Sequence, residues 1–98
     1  MSTQPQLQKL LNTAQACVKK GDYSNALSVL TEAKASFPDS HELFFNIAVA
    51  NRLAGNLADA IQALDEALAL DPYSFLALLS KASILEQTGQ VRRASEIY

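Results

Sequence analysis

The chain has a single cysteine, Cys17, and only three glycines and three prolines. A disulfide framework within the chain is excluded, and a reducing compartment, the cytoplasm, is the expected setting. Alternating runs of Val, Ile, Thr and Tyr are missing, which argues against a sheet. No apolar run is long enough to span a bilayer. The residues before Lys9 are mostly polar, and Asn12, Thr13 and Gln15 interrupt the apolar stretch after them, so a secretory leader is not expected. Clustered cations are also scarce. Lys19-Lys20 and Arg92-Arg93 are the only pairs, and the net charge is −2. A phosphate backbone needs a clustered basic face, so nucleic acid is not an expected partner.

What the chain does contain is a period. Gly21, Gly55 and Gly89 stand 34 residues apart, as do Ala14, Ala48 and Ala82, and again Ala26, Ala60 and Ala94. Pro38 and Pro72 keep the same interval of 34, and so do Leu30, Leu64 and Tyr98. A fixed period of this length marks an array of helical repeats, each too small to bury its own apolar face. Apolar residues make up 49% of the 98, too many for a disordered tail. Ala and Leu dominate them, which favours helix.

Apolar spacing and punctuation place the helices. Leu7, Leu10, Leu11, Ala14, Cys17 and Val18 form one stripe of a first helix from Gln4 to about Lys20. Thr3 with Gln6 reads as its capping box, Gly21 as its end and Asp22 as the next N-cap. The second helix is predicted over about Tyr23–Ser36, stopped by Pro38 and Asp39. Asp39 with Glu42 is expected to cap a third helix, running to about Leu53. A fourth follows from Leu57 to about Leu70, closed by Asp71-Pro72, and a fifth from Ser74 to about Thr88. Val91 opens a sixth helix that carries Ala94 and Tyr98. Connections this short make successive helices antiparallel.

Set at this constant offset, the residues resemble the tetratricopeptide repeat family. Its pattern W-x2-L-G-x2-Y, A-x3-F, P falls on Leu10, Thr13, Ala14, Cys17, Ala26, Leu30 and Pro38. It falls again on Phe44, Ile47, Ala48, Asn51, Ala60, Leu64 and Pro72, and then on Leu78, Lys81, Ala82, Leu85, Ala94 and Tyr98. Gly-Asp-Tyr at 21–23 with Ala26 is the family's common turn between helices. Asn51, where an aromatic is usual, and Lys81, where an apolar residue is usual, depart from the pattern and put local packing in question. The resemblance implies an all-α fold, a right-handed superhelix of antiparallel helix pairs (an α-solenoid). It implies one domain over 1–98, with repeats at 7–40, 41–74 and a truncated 75–98. Residues from Asp71 to Gly89 also look like the N-terminal repeat region of bacterial aspartyl/asparaginyl β-hydroxylase-type proteins. There such a segment precedes an iron- and 2-oxoglutarate-dependent domain.

Catalytic chemistry is not expected. His41, the only histidine, stands beside Glu42 with no nucleophile or second ligand implied by spacing, and reads as an exposed first-turn residue. Cys17 reads as a small buried hydrophobe. Asp65 and Glu66 read as a solvated outer face. No phosphate loop, H-E-x-x-H or G-x-S-x-G occurs, and no cofactor or metal is called for.

Function is expected on the concave face, which the resemblance places on the first helix of each pair. That stripe gives Leu11, Gln15, Phe45, Asn46, Val49, Arg52, Leu79 and Ser83 as a largely apolar groove for a peptide or helix. The cations with which family members clamp chaperone carboxylates are absent; only Asn46 matches. The expected function is therefore a protein-binding scaffold. The alternative is a non-catalytic accessory domain of a hydroxylase-type enzyme. No polar cap is written at the C-terminal end. Leu78, Leu85, Val91 and Ile97 are expected to leave it apolar, so that the chain is a piece of a longer protein or self-associates, most simply as a two-fold dimer.

Overall fold

The computed structural model describes residues 4–89, which form five helices: α1 (Gln4–Lys19), α2 (Tyr23–Ser36), α3 (His41–Ala54), α4 (Leu57–Leu70) and α5 (Phe75–Gln87). No strand occurs among the described residues. Each helix packs against the next in sequence, and α1 also meets α3. The molecule is elongated, 50 × 29 × 18 Å, as a stack of hairpins must be. Thr3 and the sixth helix with Val91, Ala94, Ile97 and Tyr98 lie outside the described residues.

The period is written into the backbone. Gly21 and Gly55 take φ of 80° and 90°, the left-handed conformation that only glycine reaches without strain. Asp22 N–H then donates to Cys17 O at 2.9 Å, and Asn56 N–H to Asn51 O at 2.8 Å. These are the same helix-ending bond, one repeat apart. The turns before α3 and α5 also repeat, with Ser40 N–H on Phe37 O (3.3 Å) and Ser74 N–H on Asp71 O (3.1 Å).

Asp22 caps α2 as expected, accepting from Asn25 N–H at 3.4 Å. The cap of α3 is Ser40, not Asp39. Ser40 Oγ accepts from Leu43 N–H at 3.1 Å, and Ser74 Oγ does the same for Ala77 N–H at 3.3 Å. The proline one residue earlier commits Asp39 to the turn, so the hydroxyl after it meets the free amides. Glu42 stays in the first turn, where the helix dipole favours a carboxylate.

Two apolar clusters form the core. Leu7, Leu11, Ala14, Ala26, Leu30 and Leu43 join α1, α2 and the start of α3. Ala48, Ala60, Ala63, Leu64, Ala77 and Ile84 join α3, α4 and α5, and Ile47 packs against both clusters. Cys17 packs at the edge of the first cluster and is only half-buried.

Both departures from the repeat pattern are accommodated. Asn51 is buried, donates from Nδ2 to Ile47 O (3.1 Å) and accepts from Asn56 Nδ2 (3.3 Å), tying the α3–α4 turn to α3. Lys81 keeps its stem in the packing position and sends Nζ to Asp65 Oδ1 on α4 at 2.6 Å. Asp65 and Glu66 are therefore not a merely solvated face. Asp65 bridges to α5, and Glu66 Oε2 lies 3.7 Å from Lys34 Nζ on α2. His41 is half-buried rather than exposed, and its Nε2 is enclosed without a hydrogen-bond partner among the described residues.

Candidate interaction groove

Two reversals of direction make α1, α3 and α5 run the same way, side by side along one face. The eight residues expected to line that face divide into three groups.

The first group forms a seam. Leu11 is 0% exposed, Phe45 is half-buried and Leu79 is 54% exposed. The same gradient runs from Leu7 (4%) through His41 (half-buried) to Phe75 (74%). Both positions face the next first helix of the array. They are closed where α3 or α5 covers them and open on α5. Leu11 is thus a core residue and offers no surface to a ligand, against the expectation from its stripe.

The second group stitches the helices together. Gln15 Nε2 donates to Asn46 Oδ1 at 3.2 Å, and Asn46 Nδ2 donates back along α3 to Glu42 O at 2.8 Å. Arg52 Nη2 donates to Ser83 Oγ at 2.8 Å, and Arg52 Nε to Gln87 Oε1 at 3.4 Å. The Gln15–Asn46 and Arg52–Ser83 bonds both span 31 residues, one repeat less a helical turn. Four of the expected groove residues thus partner one another.

Val49 stands alone between these bonded pairs at 37% exposure. With Phe45 and Leu53 it forms an i, i+4 stripe along α3, and Leu53 is 51% exposed. Leu53 escapes a reading by stripe unless the stripe is carried one position further.

Crevices open beside this stripe. Ala14, Val18, Leu30 and Val49 enclose the apolar part of one between α1 and α3, of about 190 Å³, with Gln15, Asn46 and Lys19 around its mouth. Phe45, Ala48, Arg52, Leu64 and Ser80 help to line another between α3 and α5, of about 20 Å³. Lys19 and Arg52 sit in the last turns of α1 and α3, where a cation offsets the carbonyl end of the helix dipole. Among the described residues neither pairs with a carboxylate within 4.0 Å. No group of three His, Cys, Asp or Glu that could hold a metal occurs among the described residues.

Solved structures share this architecture. A double mutant of MamA RS-1 superimposes with a TM-score of 0.81 at 25% identity, covering 90% of this chain and 49% of that one. MamA 41-end from Desulfovibrio magneticus RS-1 does so with a TM-score of 0.81 at 25% identity, over 90% of this chain and 50% of that one. The chain therefore spans about half the length of these solved structures. None of the curated proteins compared with it matches. The sequence profile described as tetratricopeptide repeat matches residues 11–75 and 54–98. Repeats of this kind stack into scaffolds whose concave surface serves protein–protein interaction. With helix pairs, turns and core all repeating at that profile's period, the chain belongs to the tetratricopeptide repeat family.

Proposed function

We propose that the array binds a protein segment along the concave face of α1, α3 and α5. The observation that supports this reading is the α3 stripe. Val49 and Leu53 stay exposed in the middle of a face whose polar side chains are already bonded to each other. An amphipathic helix or an extended segment buries such a stripe without having to displace those bonds. A photo-crosslinking residue at position 53 should capture a defined partner, and one at Ala58, on the outer face of α4, should not. For the captured partner, Val49→Lys should weaken binding by at least about tenfold, the loss expected when an anchor carries roughly 1.4 kcal/mol or more. Unchanged affinity would remove the stripe from the site. The alternative, an accessory segment of an iron- and 2-oxoglutarate-dependent enzyme, rests on the resemblance over Asp71 to Gly89, and the similar solved structures add nothing to it.

A second reading concerns α5. Phe75 (74%), Leu76 (57%) and Leu79 (54%) are exposed on it. The outer face of α1 does not match them. Lys9, Thr13 and Ala16 stand there, where α3 presents Leu43, Ile47 and Ala50 to the preceding repeat. Head-to-tail stacking would set polar side chains against apolar ones, so two α5 faces meet each other in a closed, two-fold dimer. In sedimentation at tens of micromolar the 98-residue chain should run as a dimer, and Leu79→Glu should return it to monomer. A monomeric parent chain would overturn this reading.

A further inference from the structure

The crevices on either side of α3 are repeats of one another. Ala14 corresponds to Ala48, Val18 to Arg52, Leu30 to Leu64 and Asn46 to Ser80, each 34 residues on. Yet one holds about 190 Å³ and the other about 20 Å³. The difference lies in two side chains. Phe45 stands where the first repeat has Leu11, and Arg52 stands where it has Val18, so the second crevice is filled by its own walls. The first is left open over an apolar floor, since Ala14 and Leu30 are each 1% exposed. A dry apolar cavity of about 150 Å³ holds a benzene ring, so this one admits a Leu or Phe side chain.

Its mouth is not neutral. Lys19 stands there, where the second crevice region has Leu53, and it has no carboxylate partner among the described residues. Gln15 Nε2 is turned to Asn46, and its Oε1 makes no hydrogen bond among the described residues. That leaves an acceptor for a peptide N–H beside a cation for a carboxylate.

We infer that the crevice between α1 and α3 is a specificity pocket that takes one bulky apolar side chain of an acidic peptide, with the carboxylate of a neighbouring residue on Lys19. The inference rests on the groove reading and narrows it to one ligand chemistry at one place.

The test is a titration of the 15N-labelled chain with acetyl-Ser-Leu-Asp-Ser-amide into the millimolar range. Shifts should concentrate on Ala14, Val18, Lys19 and Val49. Replacing the peptide's Leu by Ala should weaken binding at least about tenfold, from the burial lost. Replacing its Asp by Lys should weaken it most at low salt, where charge is least screened. In the protein, Val18→Arg copies the residue that fills the second crevice and should abolish these shifts. Lys19→Leu copies residue 53 and should erase only the preference for Asp. Equal binding of the Ala peptide, or undiminished binding to folded Val18→Arg chain, would overturn the inference. The peptide comparison needs no variant of the chain, so a misfolded Val18→Arg protein leaves it decisive. Shifts centred on Leu53, Ser80 and Ser83 instead would overturn the pocket and leave the groove reading standing. No shift with any peptide overturns the pocket, while the crosslinked partner still tests the groove.

Discussion

Leu11→Ala should lower the unfolding free energy by about 2–5 kcal/mol, the range for truncating a large aliphatic side chain in a closed core. Leu11 is 0% exposed and belongs to the cluster that joins α1 to α2 and α3. A groove residue at the same place on the helix would cost within about 0.5 kcal/mol. Leu79, its counterpart on α5 at 54% exposure, supplies that comparison, and Leu79→Ala should fall near zero. Urea unfolding of both variants checks the pair. The loss would also be uneven along the chain, because a repeat array is held by neighbour contacts alone. Amide exchange should accelerate first in α1 and α2 and later in α4. Equal, small effects for the two substitutions would mean that Leu11 faces solvent after all.

Leu11 also shows where the sequence stops being informative. The bounds of α2 and α4 follow from local chemistry. Gly21 and Gly55 end the preceding helices, Pro38 and Asp71-Pro72 end the following ones, and each signal acts within a few residues. The closed faces of those helices follow too, because Ala26 and Leu30 repeat as Ala60 and Leu64. A stripe on a helix, however, does not say which neighbour it meets. Leu11, Phe45 and Leu79 hold one register and differ in burial because α3 covers the first, α5 partly covers the second and no described helix covers the third. The pairing of Gln15 with Asn46, and of Arg52 with Ser83, depends on how far one hairpin rotates against the next, and no local signal encodes that angle. Lys81 looked like a packing fault because its partner Asp65 lies on the preceding helix, a turn further than any i, i+4 rule reaches.

Ala60→Leu tests the other half of the core argument, that small residues are there to let helices meet closely. Ala60 is 0% exposed and sits on α4 amid Ala48, Ala63 and Ala67, all buried. A Leu there has no void to enter. It must force α3 and α4 apart or take a poor rotamer, at about 1–3 kcal/mol. Ala58→Leu, two residues earlier on the exposed side of the same helix, carries the same change in composition and should stay within about 0.5 kcal/mol. Helix propensity separates Ala from Leu too little to blur the contrast. The repeat adds a sharper condition. Ala26, 34 residues earlier and also 0% exposed, holds the same place between α1 and α2, so Ala26→Leu should cost about as much as Ala60→Leu. The two sites lie in separate hairpins and share no partner, so the double variant should lose the sum of the two within about 0.5 kcal/mol. Denaturant unfolding of the four chains reads all of this. Tolerance of Leu at 60 with loss at 58 would reverse the assignment of α4's inner and outer faces, and with it the packing that sets the groove.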